Sequence, residues 1–150
     1  MKIKGPWSRA ETQRFLVDAR VPLRLAGNGR SGHPVLASLW FVPIEGRLWC
    51  ATQAGAHVAR LLERDPRCAW EVSVESPPYR GVRGAASGAI HDDRGEDVLQ
   101  RLIDRYGVDR GSDFAAFLLS RVHTEIAICI EPTSTVSWDF TQRMGSAVRA

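Results

Sequence analysis

No stretch of the sequence approaches the ~20 consecutive apolar residues that cross a bilayer. The basic start, MKIKGPWSRAE, is not followed by the apolar run of a secretory signal. Both absences predict a cytoplasmic protein without a membrane partner. Cysteine is scarce: Cys50, Cys68 and Cys129 sit inside apolar runs and form no C-x-x-C pair. That argues against a disulfide framework and a zinc site, and the three read as buried thiols of a reducing compartment. The histidines show no H-x-x-x-H or H-x-H spacing, so no metal site is expected. His33, His91 and His123 read as solvent-facing residues at turns or strand ends. Lysine forms no block, and Arg101, Asp104, Arg105, Asp109 and Arg110 alternate in sign. The net charge of +3 therefore reads as a solvated helical face, with no nucleic-acid partner. A G-x-S-x-G elbow is missing, and no serine–histidine–acid set stands out by spacing, which argues against nucleophilic hydrolysis.

What is present suits a globular chain: 150 residues, 44% hydrophobic and 25% charged. One domain of this length buries roughly 70% of its unfolded surface and needs no staple. Ser8 and Glu11 have the spacing of a capping box, with Phe15, Leu16 and Ala19 behind them, which predicts a helix over about 9–18. Val21 to Ala26 alternates and ends in the turn Gly27-Asn28-Gly29. Pro34 to Val42 reads as a single strand, joined across Pro43 to Gly46 to a strand over 47–52. Val58, Leu61 and Leu62 mark a helix within 55–64, stopped by Asp65-Pro66. Cys68 to Val74 alternates as a strand, and Gly81 to His91 is a glycine-rich one. Gly84 and Gly88 there predict a bulge or a close approach to the backbone.

Asp93 is expected to cap a helix carrying Val98, Leu99, Leu102, Ile103 and Tyr106, with Gly107 at its end. Ser112 is expected to cap a second helix. Strands over 125–130 and 135–140 bring the total to about seven. Antiparallel hairpins of this kind point to a barrel that hides its edges. Residues 1–140 form the domain, and 141–150 read as a frayed tail.

The run from Pro34 to Arg67 carries LASLWF at 36–41, Glu45-Gly46, Ala51-Thr52, a helix and then Asp65-Pro66-Arg67; PPYRGVRG follows at 77–84. In the order and spacing of these motifs, residues 8 to 140 resemble the pyridoxamine 5'-phosphate oxidase-like, flavin-binding split-barrel family. The resemblance implies a mainly β fold with flanking helices, a split barrel of six or seven mostly antiparallel strands. It also implies a homodimer with FMN along the subunit interface; relatives use a deazaflavin or haem instead.

The implied flavin contacts are the strand residues Ser38, Leu39 and Trp40, with Ala51, Thr52 and His57 towards the phosphate. On the residues alone, the run from Thr52 to Gly55 entering a helix leaves backbone N–H groups open to an anion, or else Thr52 or Gln53 caps that helix. The family's basic phosphate clamp matches Leu36, Phe41, His57 and Val58, so only His57 retains a polar side chain. Arg80 and Arg83 are the replacement cations, or ordinary surface or interface arginines. Trp40 reads as a flavin wall or as core, and Trp138 could reach the pocket across a dimer. The oxidase's Arg-x-His substrate motif is absent from Ser137 to Arg143, so no vitamin-B6 oxidase activity is expected. The implied activity is that of a flavin-dependent oxidoreductase of unidentified small-molecule substrate and unidentified catalytic residues. The rival is a non-catalytic binding or sensing protein.

Overall fold

The computed structural model describes residues 1–147. Helix α1 (Arg9–Asp18) starts where the capping box predicts. Glu11 N donates to Ser8 Oγ at 3.2 Å, and Ser8 N donates to Glu11 Oε2 at 2.7 Å. Ahead of it lies β1 (Lys2–Lys4), in which only Ile3 is half-buried. So short a strand carries no periodicity, and its partner β9 (Ser134–Asp139) lies at the other end of the chain.

Strands β2 (Leu23–Asn28) and β3 (Pro34–Leu39) form an antiparallel hairpin. The strand expected over 34–42 breaks at Trp40–Phe41 and resumes as β4 (Val42–Ile44), which pairs with β5 (Arg47–Gln53). Phe41 N–H donates to the Tyr106 hydroxyl at 3.2 Å, and that hydroxyl donates to the Val21 carbonyl at 3.0 Å. A side chain thus takes the place of a strand partner at Phe41, and the ladder stops. The β4–β5 turn is Glu45-Gly46, with φ of 50° and 79°, the left-handed pair that matches the twist of a tight hairpin.

The remaining elements are α2 (His57–Arg64), β6 (Arg67–Ser73), β7 (Arg80–His91), α3 (Gly95–Arg105), α4 (Asp113–Ser120), β8 (Glu125–Pro132) and α5 (Thr141–Met144). Arg94, whose side chain makes no capping hydrogen bond and pairs instead with Asp97, occupies the cap of α3 in place of the expected Asp93. Gly107 has a φ of 65° just past the end of α3, as its position predicts. Ser112 Oγ accepts from Ala115 N at 3.1 Å and caps α4. The segment expected to fray opens with the single turn α5, where Met144 N donates to the Phe140 carbonyl. Residues 148–150 lie outside the described ones.

The sheet runs β3-β2-β6-β7-β8-β5-β4, antiparallel throughout, with β1 joined in parallel to β9. Strand β7 carries β6 on one edge. Its other edge is shared between β9, opposite Arg80–Arg83, and β8, opposite Ala86–His91. The fork falls at Gly84, where a Cβ would lie 1.8 Å from the Ser134 carbonyl oxygen. At Gly88 a Cβ would lie 2.9 Å from Leu62 Cδ2, so that glycine seats α2 against the sheet. Both glycines are places of close approach, as predicted. From the fork one branch continues through β8 to β5 and β4, the other through β9 to β1. This is the split barrel expected from the sequence, with nine strands because β1 and β4 join it.

Side-chain alternation lets β5 and β8 serve two cores. Cys50, Ile128 and Ile130 face the barrel interior with Leu23, Leu25 and Trp70, and Leu16 of α1 and Leu62 of α2 pack into the same cluster. Trp49, Ala127 and Cys129 turn outward against Val98 and Leu102 of α3. All three cysteines are buried and unpaired. Burial pushes the Cys50 thiol far up and that of Cys68 to about 11, so both stay protonated near neutral pH. Among the described residues no helix is long and apolar enough to cross a membrane.

Candidate functional site

The chain passes from β3, at one edge of the sheet, to β4, at the other, through Trp40 and Phe41 alone. The two edges therefore meet at this link. Strand β4 covers only Arg47 to Trp49 of β5, and β3 pairs only with β2. Beyond the link lies a seam whose two lips, Ser38–Leu39 on one side and Ala51–Thr52 on the other, have no strand partner on their outer edges. The four predicted residues thus stand on the two sheet edges that the link joins.

At the far end of the β5 lip the chain turns into α2. Its cap position is held by Ala56, which offers no side-chain hydrogen bond. Gln53 is engaged elsewhere: its amide donates to Glu125 Oε2 and to the Arg121 carbonyl at 3.2 Å, and it accepts from the Thr124 hydroxyl. Neither Thr52 nor Gln53 caps the helix. The first-turn N–H groups of α2, with the positive end of its dipole, remain available to an anion. His57, the first helical residue, is exposed.

One turn on, Arg60 folds back over the same end. Its guanidinium Nη2 lies 3.9 Å from the place a Gly55 Cβ would occupy, and it makes no ion pair among the described residues. Arg60 was not expected here, because the resemblance matches the clamp to positions 57 and 58. The available signal was its spacing of three from His57, which puts both on one helical face.

Trp40 turns away from the lips. Its ring stacks on Tyr106 at 4.6 Å with an 8° interplanar angle, and meets Phe114 edge-on at 6.2 Å. Ala51 packs on the same side, in the core beneath α3. Phe114 and Phe117 of α4 are about half exposed, extending an aromatic surface outward from Trp40.

Arg80 and Arg83 lie elsewhere in the protomer. Thr52 pairs with Ile126, whose neighbour Ala127 pairs with His91, so the seam adjoins the C-terminal end of β7. At the rise of an extended strand, Arg83 and Arg80 lie about 26 and 36 Å along β7 from His91. Arg83 sits 4.9 Å over the Trp138 ring and 4.0 Å from Glu71. Arg80 stands opposite Asp139, whose carboxyl is held below its ordinary range, chiefly by hydrogen bonding from Thr141. A single chain does not bring these arginines to the α2 end. Nor does any group of three or more His, Cys, Asp and Glu side chains gather as a metal site among the described residues.

No family model matches the sequence, and no curated protein matches it significantly. Solved structures do match the fold. A conserved hypothetical protein of Mycobacterium tuberculosis is similar over 97% of this chain and 92% of its own, with a TM-score of 0.80 and 23% identity. An F420 reductase is similar over 80% of this chain and 92% of its own, with a TM-score of 0.62 and 21% identity. A Clostridium acetobutylicum protein related to general stress protein 26, of the pyridoxinephosphate oxidase family, is similar over 87% of each chain, with a TM-score of 0.64 and 14% identity. These likenesses agree with the split-barrel fold that the sequence resemblance implies.

Proposed function

We propose that the protein is a flavin-dependent oxidoreductase that binds FMN at the seam and acts as a homodimer. The observation that carries this reading is the uncapped α2 N-terminus beside the open lips, with Arg60 folded over it. That donor set fits a phosphate. The first-turn amides of α2, with Thr52, His57 and Arg60, hold the anion. The backbone edges at Ser38, Leu39 and Ala51 flank the ring, while the side chains of Leu39 and Ala51 pack into the two cores behind them. When bound, the flavin supplies the redox chemistry, and the chain's residues bind it, orient it and keep water from it. Arg80 and Arg83 reach such a site only from a second copy of the chain, which is the physical argument for the dimer.

The test is the visible spectrum of purified protein after incubation with FMN and gel filtration. Retained oxidised-flavin bands, lost in Arg60→Ala, are the expected result. No retention by the wild type overturns FMN as the cofactor.

A deazaflavin is the second reading. Apolar Leu36, Phe41 and Val58 stand where the family places its basic clamp, and a deazaflavin binder that uses other phosphate contacts would tolerate them. The fold likeness to an F420 reductase supports this reading. Displacement of FMN by F420 separates the two, and a Soret band would indicate haem instead. Bound flavin that no donor reduces would favour the non-catalytic binding or sensing role. Pyridoxamine 5'-phosphate is not expected to be turned over, because the segment 137–143 lacks the substrate motif.

A further inference from the structure

Beneath α1, where it crosses β1 and the β4–β5 hairpin, lies a cavity of about 510 Å³. Ile3, Leu16, Pro43 and Leu48 give it apolar walls. Thr12 and Trp70 also line it, at 4% and 2% exposure, and Thr12 Oγ1 and Trp70 Nε1 have no hydrogen-bond partner in the protein. A buried polar atom left unpaired costs about 1–3 kcal/mol and is uncommon in native folds. Only one other such side-chain atom occurs among the described residues, Arg105 Nε. Two of the three therefore belong to residues that line the same cavity.

The chemistry of these groups restricts what they can hold. An indole N–H only donates, and a threonine hydroxyl can donate or accept, so an acceptor oxygen satisfies both. The lining also holds two arginines, Arg9 and Arg47, and two glutamates, Glu45 and Glu131, with Arg47 paired to Glu131 at 3.5 Å. These charges balance, so nothing there selects an ion. The volume lies in the range of small-molecule sites, roughly 300–1,000 Å³.

We propose that this cavity is a second binding site, for a small, neutral, mainly apolar molecule whose single carbonyl oxygen accepts from Trp70 Nε1 and the Thr12 hydroxyl. The inference is independent of the flavin reading. None of the residues assigned to the flavin lines the cavity, and a failed flavin test leaves it standing.

The test is an NMR titration of the full chain, following the indole N–H signals. The probes are acetophenone, a carbonyl on an apolar ring, and ethylbenzene, its analogue without the oxygen. Trp70→Phe assigns the Trp70 signal, and Thr12→Val provides a variant of nearly the same volume should the tryptophan substitution unfold the barrel. Acetophenone is expected to shift the Trp70 N–H saturably and to bind about tenfold more tightly than ethylbenzene, the order expected of a hydrogen bond. Thr12→Val should weaken acetophenone several-fold and leave ethylbenzene unchanged. The site is refuted by an unmoved Trp70 signal up to the solubility of acetophenone, by equal affinity for both probes, or by a bound water that stays on Trp70 N–H at saturating probe.

Discussion

On one side of the Trp40–Phe41 link, Arg105 donates to the carbonyls of Leu16, Val17 and Ala19 at 2.6 to 2.8 Å, and its guanidinium lies 4.9 Å over the Phe41 ring. Tyr106 ties Phe41 to Val21. These two side chains cap the last carbonyls of α1 and lock the crossing between the sheet edges. On the other side, the first turn of α2 has no cap, and Arg60 lies over it without an ion-pair partner among the described residues. The first arrangement uses polar groups to hold the barrel shut. The second leaves donors for something else to satisfy.

The largest expected effect belongs to the clamp. Arg105→Ala removes three charge-assisted hydrogen bonds and the contact with Phe41, and should destabilise the protein by about 3 kcal/mol in urea unfolding. A loss no greater than that of an ordinary surface arginine would dissolve the contrast between the two sides. Tyr106→Phe keeps the stack on Trp40 but frees Phe41 N–H and the Val21 carbonyl, and should cost about 1–2 kcal/mol by the same measurement. Arg60→Ala should leave the urea midpoint in place while weakening FMN about tenfold in a fluorescence titration. A shifted midpoint would mean that Arg60 belongs to the scaffold instead.

The smallest expected effect is at Glu125, beside Gln53. Burial raises its carboxyl above the ordinary value, only partly offset by the hydrogen bond from Gln53 and the charge of Arg121. A carboxyl whose folded pKa is raised favours folding while protonated, and that contribution is lost as pH rises from the unfolded value of about 4.3 through the folded one. Glu125→Gln should therefore stabilise the protein by a few tenths of a kcal/mol near neutrality, discounted for its partial exposure, and not below pH ~4. Thermal melts across that range check the sign.

Local chemistry was the part the sequence expressed most clearly. Ser8 and Glu11 determine the start of α1 within four residues, and Gly84 and Gly88 announced close approaches that the fork and α2 realise. The break at Trp40–Phe41 was not legible, because Tyr106, 65 residues away, supplies the hydrogen bond that makes it. The pairing of β1 with β9 is hidden for the same reason, since its partners are 132 positions apart. Ser38, Leu39, Ala51 and Thr52 were expected as flavin contacts, and they stand on the two sheet edges that the Trp40–Phe41 link joins. Arg80 and Arg83 are separated from them because β7 is a twelve-residue strand and both arginines sit at its N-terminal end.

Because β7 holds β6 on one edge and both β8 and β9 on the other, neither branch of the sheet can peel away without uncovering it. Its amides should exchange with deuterium only through global unfolding, while β1 and β4, three residues each at the margins, open locally and exchange first. The protein would then come apart from both rims inward, and the strand with three glycines, not the leucine-rich helices, would be the last to lose its protons.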